Sequence, residues 1–141
     1  MPIDWRAATL AANDATYAAW NAHDPDAVAR VFAEDAVTRE SGRPDELRGR
    51  AAIRARAAAM LAAFPDFRLE RLALVIDGDR HADRWVMTGT HSGELFGMPP
   101  TGRTVRIEGA TFTRLGADGL VVEDIHHTDF AALMGQLGVG A

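Results

Sequence analysis

The chain has 141 residues, 48% of them hydrophobic, which is the size of one domain with a sizeable core. Its 20 acidic and 15 basic side chains give a formal charge of -5 and are spread along the chain, so neither nucleic-acid phosphates nor an anionic membrane is an expected partner. Cysteine is absent, which removes disulfides, thiolate metal sites and thiol nucleophiles together and leaves His, Asp, Glu, Tyr and water to carry any chemistry.

The segment Met1-Pro2-Ile3-Asp4-Trp5 has no basic region followed by an apolar run, and no stretch approaches the roughly 18 apolar residues of a membrane span. One domain over residues 1–141, in the cytoplasm, is the expectation. From Asp4 to Ala22, Leu10, Asn13, Tyr17 and Trp20 recur at three- and four-residue spacing, the mark of an amphipathic helix. His23-Asp24 breaks it. Asp24 as N-cap and Pro25 at the first helical position start a second, short helix carrying Ala27, Val28, Val31 and Phe32. Val37 to Ser41 reads as a first strand and Gly42 to Gly49 as a loop, before a third helix from Arg50 to Phe64 with Ile53, Ala57, Met60 and Leu61 on one face. Pro65, which has no amide hydrogen, ends it.

Beyond Pro65 the period becomes two. Leu72, Leu74 and Ile76 alternate up to Asp77-Gly78, a hairpin-turn pair, and the return strand runs from about Ala82 to Thr90. A loop with Gly93, Gly97, Pro99, Pro100 and Gly102 leads to a strand from Thr104 to Leu115; Asp118-Gly119 turns into a last strand, Leu120 to Thr128. Asp129 then caps a final helix with Phe130, Leu133, Met134 and Leu137, closed by Gly138. Helices first and an antiparallel meander after is an α+β pattern. On the Thr104–Leu115 strand Val105, Ile107 and Thr111 alternate with Ala110 and Phe112, so both sheet faces carry apolar groups, and the outer one is expected to meet another copy.

Several runs are more specific: Trp20-Asn21-Ala22-His23-Asp24, Phe64-Pro65-Asp66, Gly89-Thr90-His91-Ser92-Gly93, Gly97-Met98-Pro99-Pro100-Thr101-Gly102 and Gln136-Leu137-Gly138. In this order and across nearly the whole chain they resemble the SnoaL-like polyketide cyclases, or ester cyclases, of the nuclear-transport-factor-two-like superfamily. The resemblance implies a cone-shaped domain in which a curved antiparallel sheet and three N-terminal helices enclose an apolar pocket. It further implies a homodimer through the outer sheet face and no cofactor. The best-known members close a ring by intramolecular aldol condensation with an acidic side chain on the last strand, while relatives isomerise, dehydrate, open epoxides or only bind, so the reaction must be argued from the site. With Asp118-Gly119 and Gln136-Leu137-Gly138 lined up, the catalytic aspartate position of the cyclases falls on His126 and their helper histidine on Thr111, a departure from the family pair.

Side chains two apart on a strand share a face, so Asp124, His126 and Thr128 look one way, while Glu123, Ile125 and His127 look the other; the matched position puts the first set in the pocket. A neutral imidazole offers one donor and one acceptor nitrogen near neutral pH, which suits His126 to proton transfer, with Asp124 or Thr128 fixing its tautomer. The alternative for His126 is a histidine merely hydrogen-bonded in a half-polar cavity. His91 reads either as a rim residue contacting substrate or as a structural tie for the Pro99-Pro100 loop, itself a candidate lid. Tyr17, Trp20, Trp85 and Met87 are candidates for the apolar wall, against ordinary core. Glu40 is a second acid or a solvated edge residue. A metal site from Asp124, His126 and His91 is set aside in favour of no metal.

The expected function is that of a cofactor-independent acid/base enzyme on a hydrophobic carbonyl or polyketide-like molecule, by cyclisation, isomerisation or elimination. The rivals are an epoxide-hydrolase-like enzyme, for which Asp124 alone makes the acid set incomplete, and a binding module without chemistry.

Overall fold

The computed structural model describes residues 2–139. Asp4 accepts a hydrogen bond from the Ala7 amide at 3.0 Å and so starts α1 (Trp5–Asn21), whose Thr9, Ala12, Asn13 and Ala19 are buried. Asp24 does the same for Ala27 and opens α2 (Pro25–Arg30) on Pro25. This helix stops at Arg30, and Phe32, expected at its end, begins β1 (Phe32–Glu40) instead. A short apolar run has the same look in a last helical turn as in a first strand residue, and pairing with β6 decides it here. The expected loop from Gly42 to Gly49 contains β2 (Glu46–Arg48), three residues that are too few to show alternation but pair antiparallel with β1.

α3 (Arg50–Ala63) buries Ile53, Ala57 and Leu61 and ends ahead of Phe64-Pro65. β3 (Arg68–Asp77) begins earlier than the Leu72 alternation suggests, and its register slips between Arg71 and Ala73, leaving Leu72 40% exposed rather than in line with Leu74 and Ile76. Asp77 pairs with Arg80, so the two-residue turn is Gly78-Asp79, with Gly78 at φ 59. β4 (Arg80–Thr90), β5 (Thr104–Leu115), β6 (Val121–Thr128) and α4 (Phe130–Leu137) follow close to their expected bounds, α4 capped by Asp129 and closed by left-handed Gly138.

The six-stranded sheet has the order β2-β1-β6-β5-β4-β3. Its other pairs are antiparallel, but β1 lies parallel to β6, making the sheet mixed. Hairpin turns argue only for strands adjacent in sequence, and β1 and β6 are joined through most of the domain. The fold class is α+β as expected, with the helices folded over one face.

Motif residues outside the cavity hold this arrangement. Asn21 brackets the Leu69 backbone with two 2.8 Å bonds, fixing α1 against β3, and Gln136 brackets Arg106 in the same way at 2.7 and 2.9 Å, tying α4 to β5. Asp66 accepts from both the amide and the hydroxyl of Thr90. Two apolar clusters result, one among α1, α2, α3 and β1 and one among the end of α3, β4, β5 and α4, and Trp20 touches both.

Candidate active site

Between the helices and the concave sheet face lies a cavity of about 220 Å³. Sheet register arranges its floor in rungs. One runs His81, Thr113, Asp124, Thr38 across β4, β5, β6 and β1, and the next runs Asp83, Thr111, His126, Glu40. All eight side chains line the cavity. Beyond them the wall turns apolar, with Trp85 and Met87 from β4, Ile107 from β5, Met60 from α3 and Trp20 from α1, the last stacked on Phe67 at 5.0 Å.

A hydrogen-bonded relay holds His126. The Trp85 Nε1–H donates to Thr111 Oγ1 at 2.9 Å, and Thr111 Oγ1 lies 2.8 Å from His126 Nδ1. An indole N–H can only donate, so the threonine oxygen has one lone pair and one proton left for the imidazole. If Nδ1–H donates to that lone pair, Nε2 keeps its own lone pair; if the hydroxyl donates to Nδ1, Nε2 carries the hydrogen. Both tautomers are supported, and the one with Nδ1–H on the threonine leaves Nε2 free to accept a proton. His126 Nε2 stands 3.5 Å from Asp124 Oδ1.

Asp124 is 5% exposed and its Oδ1 has no hydrogen-bond partner. Burial pushes its carboxyl above the usual carboxylate range, against the pull of the His126 ring. His81, equally buried and unpartnered at Nδ1, is held below the ordinary histidine value by burial, with Asp83 and Asp124 pulling the other way. Tyr17 donates its phenol to Asp83; burial first, then that carboxylate, push the phenol well above its usual value.

The structure thus brings together Tyr17, Trp20, Trp85, Met87, Thr111, Asp124, His126 and Thr128 around one cavity. It places His91 elsewhere. That ring is fully buried against Phe64, and its Nδ1 accepts from the Thr101 amide at 3.2 Å with the Thr101 hydroxyl at 3.0 Å, so it ties the proline loop and contacts no cavity space. The metal set considered with Asp124 and His126 is therefore dispersed, and no cluster of three His, Asp or Glu side chains suited to a metal occurs among the described residues. The partner of His126 at Nδ1 is Thr111, whereas Thr128 uses its amide to donate to Glu40 at 3.2 Å. Glu40 lies one residue past the last β1–β2 pair but is half-buried, pairs with His126 across β6 and lines the cavity.

Sequence reasoning missed His81 and Asp83. The signal was present: the period of two that puts Trp85 and Met87 in the wall carries Asp83 and His81 to the same face.

The model of the SnoaL-like polyketide cyclase family matches residues 10–137. No curated protein matches significantly. Among solved structures, a proposed polyketide cyclase, IdmH from Streptomyces antibioticus, is 31% identical over 92% of this chain and 98% of its own, with a TM-score of 0.77. AclR from Streptomyces galilaeus, a proposed hydroxylase, is 30% identical over 98% of this chain and 87% of its own, with a TM-score of 0.80. TsrD from Streptomyces laurentii is 25% identical over 99% and 100%, with a TM-score of 0.86. No helix among the described residues is long and apolar enough to cross a membrane.

Proposed function

Because this chain belongs to the SnoaL-like polyketide cyclase family, with its small-molecule cyclase-type function, we propose that it is an acid/base enzyme that moves a proton on a hydrophobic, polyketide-like carbonyl compound, in the cytoplasm and without a cofactor. The observation behind this reading is the Trp85, Thr111, His126 relay beside the buried Asp124. His126 Nε2 takes the proton from a carbon between two carbonyls, leaving an enolate. In a ring closure the enolate carbon bonds to a second carbonyl carbon, whose oxygen becomes an alkoxide and takes the proton back from Nε2. Asp124, 3.5 Å away, stabilises the imidazolium in between. The positions matched to the cyclases' acid and helper histidine, His126 and Thr111, are Cα partners across β6 and β5, which supports the same locus with changed residues.

The test uses hydrogen–deuterium exchange at the acidic carbon of a tricyclic aromatic β-keto ester in heavy water, read by mass spectrometry. Wild type accelerates exchange, His126→Asn loses about 10²- to 10⁴-fold while keeping its circular dichroism, and Thr111→Val loses less, with Thr111→Ser restoring it. A His126→Asn variant that exchanges as fast as wild type overturns the assignment.

A hydrolytic reading gains from Asp83 and Glu40, which join Asp124 as carboxylates lining the cavity. Incorporation of ¹⁸O from water into a diol product of an epoxide probe would favour it over proton transfer on carbon. A binding module, by contrast, gives affinity with no product at all. We further propose a homodimer through the convex sheet face, where Phe112 is 54% exposed.

A further inference from the structure

The cavity mouth is built differently from its floor. Leu95 and Met98 exchange both backbone hydrogen bonds, at 3.1 and 2.8 Å, around a two-residue turn, Phe96-Gly97, in which both residues have positive φ, 48 and 81. A phenylalanine in the left-handed region is strained, and the buried Leu95 anchors the turn that keeps it there. The turn sets the Phe96 ring at the mouth, with the guanidinium of Arg43 4.2 Å and that of Arg56 5.4 Å from its centroid.

Several arginines of the chain find carboxylates, Arg39 with Glu46 and Glu123, Arg54 with Asp26 and Arg71 with Asp14, while others, such as Arg68 and Arg114, make no ion pair among the described residues. Among the described residues, Arg43 and Arg56 have no carboxylate at ion-pairing distance and rest on the aromatic ring instead, although both line the cavity. Burial, then the like charge of Arg43, holds the Arg56 guanidinium below its ordinary value, against the pull of the Glu40 and Asp45 carboxylates.

We propose that Arg43, Arg56 and Phe96 form a carboxylate clamp, and that the substrate is a polycyclic acid held with its carboxylate at the mouth and its reacting carbon at His126. The assignment rests on the proton-transfer reading for the second half of that statement only. Planar guanidinium forks match a carboxylate bidentately. Glu40 and Asp45 also line the cavity and offset the two guanidinium charges, so the clamp works through directed guanidinium contacts rather than net positive charge, which disfavours a phosphate dianion. Between mouth and floor, Ile53, Ala57 and Met60 offer only apolar contact, which suits a ring system.

Titration calorimetry with anthraquinone-2-carboxylate and its methyl ester tests this. Neither probe has an acidic C–H, so binding is read independently of turnover, and a His126→Asn variant that exchanges as fast as wild type would overturn the proton-transfer reading while leaving the clamp standing. Wild type binds the acid about tenfold tighter than the ester, the difference expected for one well-placed charged contact. The double variant Arg43→Gln/Arg56→Gln loses the preference and keeps the ester affinity, which also reports that the cavity is intact. Equal binding of acid and ester, no binding of the acid, a preference that survives the double variant, or displacement of the acid by inorganic phosphate more readily than by acetate would each overturn the clamp.

Discussion

A buried carboxylate with an unpartnered oxygen is costly, and Asp124 makes the cost measurable. Its folded-state pKa lies above the unfolded value of 3.8, so between those two values the folded chain binds more protons than the unfolded one. Stability from this group is complete below pH 3.8 and is lost as pH rises through the folded value. His81 has the opposite sign: its folded value lies below 6.5, so stability falls as pH drops from 6.5 toward it. Asp124→Asn should therefore raise stability at neutral pH, on the order of 1–3 kcal/mol, while lowering activity, and should flatten the loss seen in wild type above the carboxylate range. Denaturant titrations of both proteins across pH check this, and parallel curves would refute it. Residue by residue, His126 and Asp124 were legible because each stands on a strand whose phase the matched position fixes. Asp83 and His81 were not, because the motif residues on β4, Gly89 and Thr90, stand at its far end. His91 left two readings open, a rim residue or a tie for the proline loop, and the backbone hydrogen bond from Thr101 decides for the tie.

Elements with chemical punctuation were legible. Asp4, Asp24 and Asp129 mark three helix starts, and Gly138 one end. β2, the start of β1 and the slip at Leu72 carry no such marks, since they depend on which strand pairs with which. One glycine inside β5 has a role that only the packed sheet reveals. A Cβ at Gly109 would sit 2.3 Å from Trp85 Cζ2 and 2.8 Å from the His127 carbonyl oxygen. The missing side chain lets the indole lie across β5 and reach Thr111 one step further on. Gly109→Ala should displace Trp85, costing about 1–3 kcal/mol and breaking the donor to the relay, so near-ultraviolet circular dichroism and exchange activity change together. Trp85→Phe removes the donor but keeps most of the packing, and should lower activity at smaller cost in stability. An unchanged Tm and tryptophan signal in Gly109→Ala would show that the indole is not confined by β5.

The two faces of the sheet give the molecule two different chemistries, and only one is occupied within the chain. On the concave side polar rungs meet an apolar wall under three helices. On the convex side Arg84 and Arg106 pair with Glu108, and Arg39 with Glu123, around an apolar strip in which Phe112 meets His127 edge to face at 5.7 Å. Val75, 67% exposed on β3, extends the apolar surface toward the edge. A stable dimer buries roughly 1,600 Å² in total, with aromatic anchors central to it, and Phe112 is the large side chain placed for that role. A charge at that anchor would be desolvated against its own copy. Phe112→Lys should therefore convert a dimer to monomer in sedimentation velocity without lowering the exchange rate per chain at saturating substrate, because the relay lies on the opposite face. Ala11→Lys, on an exposed position of α1, serves as the control that adds the same charge and should leave the dimer intact. If wild type sediments as a monomer at micromolar concentration, or Phe112→Lys stays dimeric, the convex face is not the interface; if the variant dissociates and loses activity, the two faces are coupled through β5, on which Phe112 follows Thr111 directly.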